Sequence, residues 1–327
     1  MGQEPSKLAA MFRALIGGLI AISLGLPGEP TSDSTLQAQS PAPNAPALER
    51  FTVTSDGHPL AVWGRRPAQP TGAVLFVHGR TWSARPDFDL QVPGLQRSVL
   101  VSFAAQGFAA YAVDLRGYGA TARDQTGWLT PKRSADDLVS VLAWISQQHP
   151  ALPKPTLVGW SRGAAMAGIA AQSAPTRLSN LVLFGFAFDP DLKFVSLDLD
   201  EKPLRLKNTA ASAESDFISP AVTPPAVVKA FVEQALKTDP VLVDVRKDDE
   251  FNGFVPAQME TPTLILFGSN DPGLVMEDAG KMFAKLAAKD KQLIVLPGSD
   301  HAAHLEDTHD AWVAAIVNFI RRPAARK

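Results

Sequence analysis

Three short segments hold the residues whose types and order could do chemistry: Gly159-Trp160-Ser161-Arg162-Gly163, Asp271 within GSNDPG, and His301 within GSDHAAHLED. A serine hydroxyl is a poor nucleophile at neutral pH until a base takes its proton, and an imidazole works best as that base when a carboxylate orients it. Ser161 as nucleophile, His301 as base and Asp271 as orienting acid would supply that set. A Gly-x-Ser-x-Gly match is cheap by itself. Its setting gives it weight: it follows the apolar run Pro155–Val158 and opens an alanine-rich helix, the strand–turn–helix context of a nucleophile elbow. Small residues two places to either side of the serine let strand and helix pass closely, and the helix N-terminus favours developing negative charge. His304 is the alternative base and Asp189, in FGFAFDP, the alternative acid, while Asp300 reads as a loop residue.

Strand and helix patterns alternate around these residues. Phe51–Ser55 and Leu60–Arg65 flank the turn signal DGHP and predict a hairpin. Ala73–Gly79 and Ala109–Val113 are continuous apolar runs, as expected of strands covered on both faces. Leu138, Val141, Leu142 and Ile145 lie on one face of a helix predicted to start at Ser134, with Ser134 as its cap. Then follow a strand at Thr156–Val158, a helix at Arg162–Gln172, a strand at Leu181–Phe186, and the run TPTLILFG, VMEDAGKMFAKLAAK, KQLIVLPG and DTHDAWVAAIVNFIRR as strand, helix, strand, helix. The expected fold class is α/β: a mostly parallel central sheet with helices on both faces, opened by an antiparallel hairpin. Ser161, Asp271 and His301 each come just after a strand, hence at one edge of such a sheet. Residues 187–258 break the rhythm, with PPAVVKAFVEQALK as their one clear helix, and read either as a cap over a site or as a loose excursion.

With these residues in place the chain, from about Arg50 to Ile320, resembles the α/β-hydrolase family in its serine-nucleophile, esterase- and lipase-like branch. The matches are His78-Gly79 after a buried strand, DLRGYGAT after the next, GWSRG, GSND and DHAAHLE. The resemblance implies that residues 187–258 are a cap insertion after the sixth strand, and it implies an oxyanion hole made by the backbone N–H of Arg162 and that of Arg80, with Thr81 as the neighbouring alternative. His78 is expected to be structural, its ring packed under that loop, and Asp114 and Arg116 to fix their own turn. Trp82 and Trp160 flank the site and are candidates for lining the substrate pocket. Arg80 and Arg85 either favour an acidic group on the substrate or pair with Asp87 or Asp89.

The resemblance implies a serine hydrolase that cleaves a carboxylic ester, thioester or lactone of a small organic substrate through an acyl-enzyme. Alternatives on the same skeleton are a C–C bond hydrolase, an amidase or peptidase, and a non-catalytic binding module. Ala164 in the sixth place of the motif disfavours a perhydrolase. Composition sets outer bounds. The 327 residues are 46% hydrophobic and 20% charged, as in globular chains, and a net charge of −2 gives no reason to expect nucleic acid. The absence of cysteine removes disulfides, thiolate nucleophiles and cysteine-ligated zinc; six scattered histidines suggest no metal, and no cofactor is expected. Lys7 and Arg13 precede the apolar stretch Ala14–Leu26, which is shorter than the roughly 20 residues that span a bilayer. Residues 1–26 therefore read as the n- and h-regions of a signal peptide and 27–49 as a cleavage region and tether, with 50–327 as the hydrolase domain. The expected protein is exported, periplasmic or secreted, with a cytoplasmic or N-terminally anchored protein as the alternative and no other stable membrane span.

Overall fold

In the computed structural model, which describes residues 45–196 and 202–323, the chain enters the sheet at β1 (Glu49–Ser55) and returns as β2 (His58–Arg65). Asp56 and Gly57, at φ 47° and 71°, form the turn, so His58 and Pro59 belong to the strand rather than to the turn expected around DGHP. Two central residues at positive φ match the twist of paired strands. Residues 1–26, expected to direct export, and most of the expected tether at 27–49 lie outside the described residues.

β3 (Gly72–Val77) leads into a short helix α1 (Ala84–Phe88), a two-stranded hairpin of β4 (Leu90–Val92) and β5 (Leu95–Arg97), and α2 (Val99–Ala105). β6 (Phe108–Val113), α3 (Pro131–Gln148), β7 (Thr156–Trp160), α4 (Arg162–Ser173) and β8 (Asn180–Phe184) follow. Helix α3 begins a turn earlier than expected. Thr130 caps it, accepting from the Arg133 N–H at 3.4 Å, and Pro131 stands first in the helix, where a missing N–H costs nothing. Between β8 and β9 (Thr263–Gly268) the chain makes α5 (Ala210–Glu214), α6 (Pro225–Thr238) and short 3-10 turns; α7 (Met276–Lys285), β10 (Lys291–Leu296) and α8 (His309–Arg321) complete it.

The main sheet has the order β1-β2-β6-β3-β7-β8-β9-β10. The six strands from β6 to β10 are parallel, while β1 and β2 pair antiparallel at one edge. Alternate side chains go to opposite faces: Leu75, Val77, Ile265 and Phe267 pack with α3, α4 and α7, while Val74, Phe76, Leu264 and Leu266 pack with α2, α6 and α8. Trp312 and Phe103 fill the second layer edge-to-face, with ring centroids 6.2 Å apart. Among the described residues no helix is long and apolar enough to cross a membrane. The parallel strands bring the loops after β3, β6, β7, β9 and β10 to one edge, where the chemistry-bearing residues stand.

Candidate active site

Ser161 occupies the single residue between β7 and α4, at φ 54° and ψ −124°. Its N–H donates to the Phe184 carbonyl at 2.8 Å, which pins the turn to the end of β8. A serine in this helix-opening position normally spends its hydroxyl on a free N–H of the first turn; the Ser161 side chain makes no such bond. The glycines of the motif are there for space. A Cβ on Gly159 would lie 2.5 Å from Ala164 Cα, and one on Gly163 would lie 2.3 Å from the His78 carbonyl oxygen. Gly79 brings the loop after β3 alongside: a Cβ there would meet Ser161 Cβ at 3.5 Å.

Asp271 follows β9 and His301 follows β10, and the two side chains meet, His301 Nδ1 to Asp271 Oδ2, at 2.9 Å. The Asp271 side chain is wholly covered, while 22% of the His301 side chain remains accessible. Asp271 Oδ1 accepts the Gly273 N–H at 2.7 Å, so its orientation is fixed from both oxygens. Three contacts place the imidazole. Trp160 Nε1 donates to the His301 carbonyl at 2.8 Å. Gly268 admits the Ser299 and Asp300 carbonyls so closely that a Cβ would lie within 2.4 Å of each. Gly185, at φ 63°, lets the end of β8 lie against the ring. Burial alone would lower the affinity of this imidazole for a proton, but the charge and hydrogen bond of Asp271, aided by Asp216 and Asp300, outweigh it and hold it above the usual histidine value. With Nδ1 directed at Asp271, Nε2 is the nitrogen left to exchange a proton with a hydroxyl.

Arg162 begins α4, and its guanidinium is spent elsewhere: it pairs with Asp248 at 2.6 Å and lies over the Phe251 ring. The backbone after His78 is held by three carboxylates, one from the same segment and two from further along the chain. Gly79 N–H donates to Asp87, Ser83 N–H to Asp239 at 2.9 Å, and Ala84 N–H to Asp114 at 2.9 Å, while the Tyr118 hydroxyl donates to the Arg80 carbonyl. His78 is buried as expected; it accepts the Leu115 N–H at 3.2 Å, and burial pushes its imidazole down to about 4. Asp114 does more than fix its own turn, since besides Ala120 it binds Ala84 and the Trp63 indole. Arg116 reaches out of its turn to Asp137 on α3 at 2.7 Å.

The alternatives separate from the pair. His304 is buried among the rings of Trp160, Phe184, Phe88 and Trp312, where desolvation drives its imidazole well below the usual value. Asp189 pairs with Lys281 at 2.7 Å rather than with a histidine. Arg85 stacks over Trp63, and Asp89 is taken by Arg65 at 2.8 Å, so the expected pairing of Arg85 with Asp87 or Asp89 does not occur. Trp82 and Trp160 are both buried, Trp82 edge-on to Phe231 of α6 and Trp160 beneath the His301 loop. The sequence does not mark what the buried acids Asp87, Asp239, Asp300 and Glu306 hold; Asp300, expected to be a loop residue, and Glu306 both stand in DHAAHLE. Among the described residues no group of three or more His, Asp or Glu is arranged to hold a metal ion.

A mostly parallel sheet with Ser161 on the turn after β7, and a carboxylate–imidazole pair beyond β9 and β10, defines an α/β hydrolase. Solved structures of similar architecture include an E-2-(acetamidomethylene)succinate hydrolase (TM-score 0.58, 19% identity, covering 84% of this chain and 100% of that one). The thioesterase domain of a curacin biosynthetic pathway is similar at TM-score 0.57 and 17% identity, covering 83% and 99%. The carboxylesterase CesB of Bacillus subtilis is similar at 0.54 and 17%, covering 84% and 92%. At such identities the likeness is one of fold. The serine aminopeptidase S33 family matches across residues 68–308. The chain belongs to that family, and is a hydrolase of the α/β-hydrolase superfamily.

Proposed function

We propose that the chain is a serine hydrolase that cleaves a carboxylic ester, thioester or lactone of a small organic substrate. Ser161 is the nucleophile, His301 its base and Asp271 the orienting acid. The observation that carries this reading is the 2.9 Å His301–Asp271 contact beyond a serine whose backbone is held at φ 54° and whose hydroxyl is not used as a helix cap. His301 Nε2 takes the Ser161 proton as Oγ attacks the carbonyl carbon. The tetrahedral oxyanion is met by the backbone N–H of Arg162 at the start of α4 and by that of Arg80 or Thr81. His301 returns the proton to the leaving group, and the ester bond between Ser161 and the acyl group remains. Water, deprotonated by His301, then attacks that ester and releases the acid with Ser161 restored. Residues 187–258 act as a cap over the site, and the buried Trp82 and Trp160 back it from within the fold.

The description of the matched family favours a second reading, amide or peptide hydrolysis on the same residues. Labelling by a fluorophosphonate, compared among the parent, Ser161→Ala and His301→Ala, tests the nucleophile. Labelling of the parent alone supports it. A folded parent that stays unlabelled rejects it and favours a binding module. A panel of esters, thioesters, aminoacyl amides and β-diketones then decides among ester, amide and C–C cleavage. Residues 1–26 are proposed to direct export, which sequencing the N-terminus of the mature protein from fractionated cells tests; an intact N-terminus in the cytoplasm overturns it.

A further inference from the structure

His301 rides on a stretch between β10 and α8 that has no regular secondary structure, only turns. Its backbone groups must therefore be held by something other than a helix or a ladder. Two fully buried carboxyl groups do this. The Asp300 N–H donates to Glu306 Oε2 at 3.0 Å, which closes the loop on itself across His301. The Asp300 carboxylate accepts the Ala302 N–H at 3.0 Å on one oxygen and the Ser219 N–H at 2.6 Å on the other. Ala302 is the neighbour of His301; Ser219 lies between α5 and α6, in the insertion. A second strap runs beside it, from the Asp307 N–H to the Val222 carbonyl at 2.9 Å. The Asp271 loop is tied in as well, since the Asn270 N–H donates to the Ser299 carbonyl at 2.8 Å.

We propose that Asp300 is a positioning residue. Seated against Glu306, its carboxylate fixes the loop that carries His301 and latches the insertion to that loop, so that the base is in place while the insertion is seated. The idea rests on the reading of Ser161, His301 and Asp271 as the reacting set. Two buried carboxyl groups in contact do not both ionise readily. Burial and the hydrogen bond with the neighbouring Asp300 push the Glu306 carboxyl up to about 9, so it keeps its proton at neutral pH. Around the pair stand His301 and His304 on the same loop, His309 at the start of α8, Asp216 from the insertion, and Asp307, which pairs with Arg97. Loss of the Glu306 proton would set two negative charges in a closed space and force the loop open.

Two variants of the full chain test this, with circular dichroism alongside. Asp300→Asn presents an amide N–H to one of the two backbone donors, so one contact is lost and the loop shifts. A misplacement of about 1 Å costs on the order of 10²-fold in rate, and kcat of Asp300→Asn should fall by about that factor. Glu306→Gln keeps a hydrogen-bond donor and acceptor but cannot ionise. The parent should lose kcat as pH rises through about 9, and Glu306→Gln should hold it to higher pH. A kcat for Asp300→Asn within about twofold of the parent would overturn the proposal, on the scale of that expected loss. So would an unchanged alkaline limb in Glu306→Gln, which decides the matter if Asp300→Asn does not fold. Fluorophosphonate labelling of the parent separates the two levels. A parent that fails to label rejects the reacting set and the positioning role with it; a parent that labels, with both variants like it, rejects the positioning role alone.

Discussion

Strain at Ser161 can be measured apart from its chemistry. At φ 54° and ψ −124° the residue sits where glycine is at ease and other residues are held at a cost of about 1–3 kcal/mol. Ser161→Ala and Ser161→Gly both remove Oγ, so their difference reports the backbone. Glycine relieves the strain but widens the unfolded ensemble, which costs about 0.4–1 kcal/mol. The balance favours Ser161→Gly by about 1 kcal/mol. For a domain of this size that corresponds to a Tm about 2–4 °C above Ser161→Ala. Calorimetry of the two variants checks it, at one pH and one scan rate. A Ser161→Gly protein that melts at or below Ser161→Ala would refute the claim that this turn stores strain. The expected result also says why the elbow is kept: the fold holds the turn in an unfavourable backbone state because that state carries the hydroxyl clear of the helix it opens.

Gly163→Ala drives a methyl group against the His78 carbonyl at 2.3 Å and should cost at least about 2 kcal/mol, read as a lower urea midpoint. Gly280→Ala is the control: it lies in α7 with nothing within 4 Å of its added Cβ, and should stabilise by about 0.5–1 kcal/mol. With neutral His301 as the proposed base, kcat/KM should be lost as pH falls through a value above the usual histidine range. Asp271→Asn removes the charge that holds that value up; the acid limb should move to lower pH, and kcat should drop by as much as about 10⁴-fold. Asp248→Ala leaves the buried Arg162 guanidinium without its carboxylate and should cost about 3 kcal/mol in urea titrations, well beyond an exposed ion pair.

The parts legible in the sequence are those whose signal is local. An apolar run followed by Gly159-x-Ser161-x-Gly163 contains its own explanation, because strand, turn and helix are consecutive and the glycines answer to neighbours four residues away or to the next strand. The sheet strands were legible for the same reason, to within two residues at their ends. The start of α3 was not, because Ser134 and Asp137 imitate a cap while the signal that decides is Thr130 followed by Pro131. The short elements after His78 were missed too; five residues of helix and three of strand are too few for a period to emerge.

What the sequence does not show is which backbone groups the buried aspartates hold, and the reason is chemical. Asp87, Asp114, Asp239 and Asp300 bind backbone N–H groups: those of Gly79, Ala84 and Ala120, Ser83 and Gly119, and Ser219 and Ala302 respectively. A backbone donor has no residue type, so the partner leaves no mark in the sequence. The spacing is no guide either, since Ser83 and Asp239 stand 156 positions apart. The serine, histidine and aspartate proposed as the reacting set can be named from their side chains, because side chains do such chemistry. The carboxylates that hold their loops in place act on the common backbone, and only the folded chain says which amide each one holds.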